Sequence, residues 1–319
     1  MNDAVTISLR EHRPRWPEAL PWLIALGVYV LFPDQLPFAS QILITILFAL
    51  SLDLVLGFAG IVTLGHAAFF GTGAYAAGIF AIHVSQHPLE GLAIAALAAA
   101  IMGAASGLII LRTKGLTQLM LTLAIATLLA EAANKASTLT GGNDGLQGIE
   151  ISPILGMFRF DMFGRAGYFY CLIVLFCAWL FLRVLLASPF GQSLVGIREN
   201  IGRMRAIGAP VETRLLIAYT IGAAIAGLAG GLLTQTTQFV GQSVLSFERS
   251  GEIVIILVFG GVGRIYGAFI GAAVFMIAQD QLSKNDPLFW NFWIGLILVL
   301  TVLFARGGIL GLIDRIRGQ

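Results

Sequence analysis

The sequence predicts an all-α, polytopic membrane protein of about ten transmembrane or half-membrane helices, and three observations carry that prediction. Hydrophobic residues fill 58% of the 319 positions and charged residues only 11%, with a mean hydropathy of +0.89. A water-soluble domain carries roughly 25% charge, so this chain cannot clothe a soluble surface. Apolar runs long enough to cross a hydrocarbon core about 30 Å thick recur from residue 20 to residue 305. Stretches such as Leu92 to Ile110 are continuously apolar, whereas a membrane β-barrel alternates apolar and polar residues in segments of about ten.

Turn signals divide the apolar runs into segments near 19–32, 39–57, 66–82, 91–111, 115–136, 167–187, 215–235, 250–262, 265–282 and 289–305. The first follows Arg10, Arg13 and Arg15, as a signal peptide would, but Phe32-Pro33-Asp34 is a turn and not a small-residue cleavage site, so it reads as an uncleaved helix. With the N-terminus in the cytoplasm, 14 of the 19 basic residues fall inside, which satisfies the positive-inside rule. Residues 1–18 and 307–319 are then cytoplasmic tails flanking a transmembrane domain at 19–306, with a cytoplasmic loop at 188–214. The segment Ser250 to Val262 is only 13 residues long and reaches about 20 Å. It ends in Gly260-Gly261-Val262-Gly263 and reads either as a half-helix lining a pathway or as a short helix in thinned bilayer.

Cys171 and Cys177, six residues apart on different helix faces, read as buried small hydrophobes and not as a disulfide. The small, dispersed net charge of +2 excludes nucleic acid as a partner. None of Lys114, Lys135 and Lys284 follows a glycine, so the chain has no phosphate-binding GxxxxGK[ST] loop, and any ATP is bound elsewhere. Only one of the four histidines falls within a span, which leaves no convergent set for a membrane-embedded enzyme. No metal site or cofactor of its own is indicated.

Three stretches carry functional signal. Between Ser188-Pro189, a helix start, and Gly208 with Pro210, a helix stop, Ile197, Ile201 and Met204 fall on one helical stripe. Arg198, Glu199, Arg203 and Arg205 take the other faces, giving an amphipathic helix whose stripe packs on a partner, on the rest of this chain or in the membrane surface. From Gly57 to Gly78 the glycines include Gly57, Gly65 and Gly71, and they serve either tight helix packing or local unwinding toward a polar solute. His66 lies among them and Asp53 just before, the one acid well inside a span; both are pathway candidates, with a packed histidine the alternative. Glu131, Glu252 and Asp280 sit at span ends and do not form a proton relay. Thr140-Gly141-Gly142-Asn143-Asp144-Gly145 lies in the longest outside loop, as a plain turn or a contact for an arriving solute or delivery protein.

Four of these motifs, in order, resemble the LivM-type permeases, the membrane subunits of high-affinity branched-chain amino acid ABC importers. They are ALSLDLVLG at 49–57 running on to LGHAAFFGTGAYAAG at 64–78, LTGGNDGLQGI at 139–149, SPFGQSLVGIREN at 188–200 with AIGAP at 206–210, and LVFGGVGRIYGAFIGAAV at 257–274. The resemblance implies pairing with a LivH-type permease, two cytoplasmic ATPases that bind the ATP, and a periplasmic solute-binding protein, in the bacterial inner membrane with both termini cytoplasmic. It implies that residues 188–210 are the segment docking in the ATPase, with Arg198, Glu199, Asn200, Arg203 and Gly208 in the coupling role. Asp53, Gly57, Gly65, His66, Gly71, Gly260 and Gly261 are then the candidates for the substrate pathway. Many relatives carry Asn at the position of Asp53 and Gly-Ser where this chain has Gly263-Arg264, and urea or short-amide importers share most of the motifs. Relatives are similar to ribose-type permeases built on two inverted halves, and GFAGIVTLGHAAFFG faintly echoes FGGVGRIYGAFIG.

Overall fold

A computed structural model of the chain describes residues 20–153 and 164–287, together with 289, 292–296, 299 and 308. Its helices are α1 (Leu20–Leu31), α2 (Leu36–Leu52), α3 (Ala67–His83), α4 (Pro88–Ile110), α5 (Leu116–Lys135) and α6 (Arg165–Ala187). There follow α7 (Pro189–Glu199), α8 (Ile201–Ala206), α9 (Val211–Thr237), α10 (Phe247–Gly260) and α11 (Ile265–Asn285). Among the described residues six helical segments are long and apolar enough to cross a membrane. The protein is therefore multi-pass, and the spans drawn from the sequence match these helices to within a few residues. The two tails and most of the segment 289–305 lie outside the described residues.

In lipid, apolar side chains gain little by leaving one apolar medium for another, so helices associate through close packing and hydrogen bonds. Small residues make that contact here. α9 packs against α2, α3 and α4. Gly227 faces Gly73 on one side and Ala95 and Ala99 on another, while Gly222 meets Val55 and the Ser51 carbonyl. A β-carbon at Gly230 would fall under 3.0 Å from the Phe70 carbonyl. Polar ties cross the same contact: Thr234 Oγ1 donates to the Ala74 carbonyl at 2.9 Å, and Gln235 Nε2 donates to the Pro88 carbonyl at 2.7 Å. α2 is wrapped by α6, α9 and α11 and is buried over most of its length. α1 and α5 lie outermost, exposing Leu23, Val30, Leu116 and Met120 as lipid-facing groups.

Two helices are short. α3 has 17 residues and α10 has 14, about 25 and 21 Å of helix. Their first turns abut: the Ala67 amide donates to Ser250 Oγ at 3.0 Å, Leu245 covers Gly71, and the Arg249 guanidinium lies 5.6 Å from the centre of the Phe70 ring. The chain runs without regular helix from Ala59 to His66 before α3 begins. The half-helix expected at 250–262 is thus a 14-residue helix, and α3 is a second short element that hydropathy alone presents as a full span.

Two expectations are corrected. The stripe of Ile197, Ile201 and Met204 does not lie on one helix. Asn200 takes an extended conformation and its side chain accepts from the Arg203 amide at 2.9 Å, capping a new helix and dividing the loop into α7 and α8. Cys171 is buried as expected, but Cys177 is exposed on α6.

Candidate functional site

α7 begins where Ser188 caps it, with Pro189 preset for the first turn. Gly191 lets the helix lie against Leu186 at the end of α6, and Leu194 and Ile197 anchor it in the bundle. The opposite side is exposed and carries Glu199, and α8 continues the surface with Arg203 and Arg205, followed by Gly208 in the turn after it. Arg205 pairs with Glu212 at the start of α9, fixing the far end of the loop. Ile207 is 71% exposed at the tip, an apolar knob among charges.

Arg198 is exposed like Glu199 and Asn200, but its guanidinium reaches back to the bundle surface and donates to the Gly57 carbonyl. The reason lies in three glycines. A β-carbon at Gly60 would come within 2.8 Å of Arg198 Cγ, and one at Gly263 within 2.9 Å of Nη1. A β-carbon at Gly57 would come within 2.7 Å of the Gly263 amide. Gly60 and Gly263 also have φ of +72° and +78°, values that side chains disfavour.

Asp53 completes the junction. It starts a π-helical turn, Asp53–Phe58, that ends α2, with the Ala59 amide reaching back five residues to the Leu54 carbonyl at 3.0 Å. Such turns recur where a helix must redirect its backbone at a functional point. Asp53 is buried, and Oδ1 accepts from the Gly263 amide at 2.7 Å in the α10–α11 turn. Three elements distant in sequence therefore meet at one junction: the end of α2, the α10–α11 turn and the loop helix α7. The two glycine-rich stretches that echo one another in sequence are the two that touch. Asp53→Asn preserves a carbonyl acceptor for Gly263 and should leave stability nearly unchanged. Asp53→Ala strands that amide, at about 1–3 kcal/mol; comparing melting temperatures of the two purified variants checks the difference.

The other pathway candidates are dispersed. Gly65 packs on the Thr122 carbonyl of α5, Gly71 on Leu245, and Gly260 on Gly267 and Gly271 of α11, so all three serve close packing. Gly261, with φ of +115°, ends α10. His66 is fully buried with its ring stacked on Phe48, and Nε2 is 2.9 Å from Ser51 Oγ. The Ser51 hydroxyl has one hydrogen, and the Phe48 carbonyl 2.6 Å away can only accept it. His66 Nε2 must then be the protonated nitrogen, which leaves Nδ1 without a partner among the described residues. That is the geometry of a packed histidine joining α2 to α3.

Sequence reasoning missed a cavity of about 760 Å³ bordered by α2, the 3₁₀ turn Gln242–Leu245, α10 and α11. Arg249 and Glu252 line it, joined by an ion pair at 2.9 Å. The available signal was a pair of opposite charges, Arg249 and Glu252, one turn apart at the opening of a short apolar segment.

A family model described as "Branched-chain amino acid transport system / permease component" matches residues 36–303. Among individual relatives, the high-affinity branched-chain amino acid transport system permease protein LivM of Escherichia coli K12 is 25% identical over 314 residues, covering 92% of this chain and 72% of its own. A probable branched-chain amino acid transport permease protein LivH of Methanocaldococcus jannaschii is 29% identical over 168 residues, 48% of this chain and 51% of its own. The autoinducer 2 import system permease protein LsrC of Photorhabdus laumondii is 26% identical over 147 residues, 44% of this chain and 43% of its own. No solved structure matches. With a family match that takes in every helix from α2 to α11, the chain belongs to the branched-chain amino acid transport system permease family.

Proposed function

We propose that this chain is one permease subunit of an ATP-driven importer for branched-chain amino acids, lying in a bacterial inner membrane with both termini cytoplasmic. It forms the translocation pathway with a LivH-type permease, receives solute from a periplasmic binding protein, and is driven by two cytoplasmic ATPases. The carrying observation is the loop unit α7–α8. One side of it is built into the bundle, through Leu194, Ile197 and the Arg198 contact to Gly57, and the other presents Glu199, Arg203 and Ile207 outward. A unit fixed at one side and free at the other can pass a push from an ATPase to the π-turn of α2 and to the α10–α11 turn together. Asp53 and Gly263 keep those two turns in register.

In proteoliposomes holding the full complex, labelled leucine uptake should require ATP and disappear when the ATPases are omitted. Uptake that persists without them identifies a self-sufficient transporter, and uptake of urea in place of leucine keeps the mechanism but reassigns the substrate.

A further inference from the structure

We propose that the cavity at the start of α10 is a binding site for a zwitterionic aliphatic amino acid, an inference that rests on the importer reading and adds the residues that select the solute. Its wall is polar on one side, where Arg249 and Glu252 pair at 2.9 Å and Glu248 makes no ion pair among the described residues. Its other side is mainly apolar, with Ile44, Phe275 and Met276 beside the uncharged Gln41 and Gln279. A volume of about 760 Å³ lies within the range of solute pockets.

Three charged groups would be costly against acyl chains, so this wall faces water or a solute. The arrangement fits a molecule that carries both charges at one end and a hydrocarbon at the other. Arg249, steadied by the Phe70 ring and by Glu252, meets the carboxylate, and the amides opening α10 favour the same charge. Glu248 supplies the acid that an ammonium group needs without breaking the existing pair. The aliphatic side chain then lies against Phe275 and Met276.

The glycines offer a way to probe the cavity. Most glycines inside the helices of this bundle are there because a neighbouring backbone or side chain leaves no room for a β-carbon. Gly251 and Gly295 line the cavity, and a β-carbon at either would meet no atom of the described residues within 4 Å. Close helix packing does not account for them, any more than for Gly27 on α1, which lies outside the cavity, so Gly251 is a position where the cavity can be filled without disturbing a helix contact.

The test uses the complete importer in proteoliposomes with one binding protein throughout, so that differences among variants report the permease. Gly251→Leu adds a side chain in open space. It should leave assembly and melting temperature intact while raising the KM for leucine at least tenfold, with a much smaller effect on alanine. The double variant Arg249→Gln with Glu252→Gln keeps the wall neutral and should raise KM for both amino acids by about tenfold or more. Leucine kinetics unchanged in both variants, or an equal loss for leucine and alanine in Gly251→Leu, overturns the site. Failure of Gly251→Leu to assemble with the second permease also overturns it, by making this face a subunit contact. Absence of leucine uptake in the unaltered complex overturns the importer reading itself, and the site with it.

Discussion

Arg198→Ala is expected to leave the importer assembled and hydrolysing ATP while nearly abolishing solute movement. The substitution removes a charge-assisted hydrogen bond to the Gly57 carbonyl, an interaction of about 1.5–3 kcal/mol. In equilibrium terms that is roughly 10–100-fold against the tethered arrangement. What remains is α7 held by Leu194, Ile197 and the packing of Gly191 on Leu186, which keeps the helix on the bundle but removes its side-chain tie to the π-turn of α2. The outward groups Glu199, Arg203 and Ile207 are untouched, so docking of the ATPase should persist. Arg198→Lys offers one compact donor in place of a planar fork, and should restore transport only in part. The readout is leucine moved per ATP hydrolysed, which a docking residue and a transmission residue affect differently. Loss of ATPase binding would place Arg198 on the docking surface instead. An unchanged ratio would remove it from the coupling path.

Much of this fold was legible from hydropathy because lipid imposes a strict rule: a spanning segment must satisfy its own backbone and so must be a helix of calculable length. Segments near 91–111 and 167–187 fall on α4 and α6 for that reason. The rule is weaker where the chain is buried in protein. Hydropathy reads straight through the unwound stretch Ala59 to His66, although Ile61-Val62-Thr63 between Gly60 and Gly65 is a run of poor helix formers. Partners distant in sequence, Thr122 and Ser250, then take up the backbone amides at Leu64 and Ala67. Asn200 illustrates a local signal outweighed in pattern reading: the periodic stripe across it argues for continuity, while its capping side chain starts a new helix. Asp53 and Arg198 were singled out as residues but not as neighbours. No periodicity links them, and their meeting depends on three glycines whose missing side chains leave the space.

Glycine therefore has two meanings in this chain, and one pair of substitutions separates them. Gly230→Leu should prevent folding. Its β-carbon would fall under 3.0 Å from both the Phe70 carbonyl and the Ala74 amide, which are backbone atoms of α3 and cannot rotate aside as the tip of a side chain can. Relief requires α9 to move away from α3, which breaks the Thr234 bond to Ala74 and the Gly227–Gly73 contact together. Overpacking a well-filled core costs about 1–3 kcal/mol even where side chains can adjust, and more where they cannot. We expect no monodisperse protein in detergent extracts of cells producing this variant. Gly251→Leu makes the same chemical change on α10, but into open space, and should yield as much folded protein as the unaltered chain. A normal yield of Gly230→Leu would show that α9 and α3 are not held by close backbone packing. The contrast depends only on what lies within 4 Å of the added carbon, so it tests the helix arrangement directly, before any transport is measured.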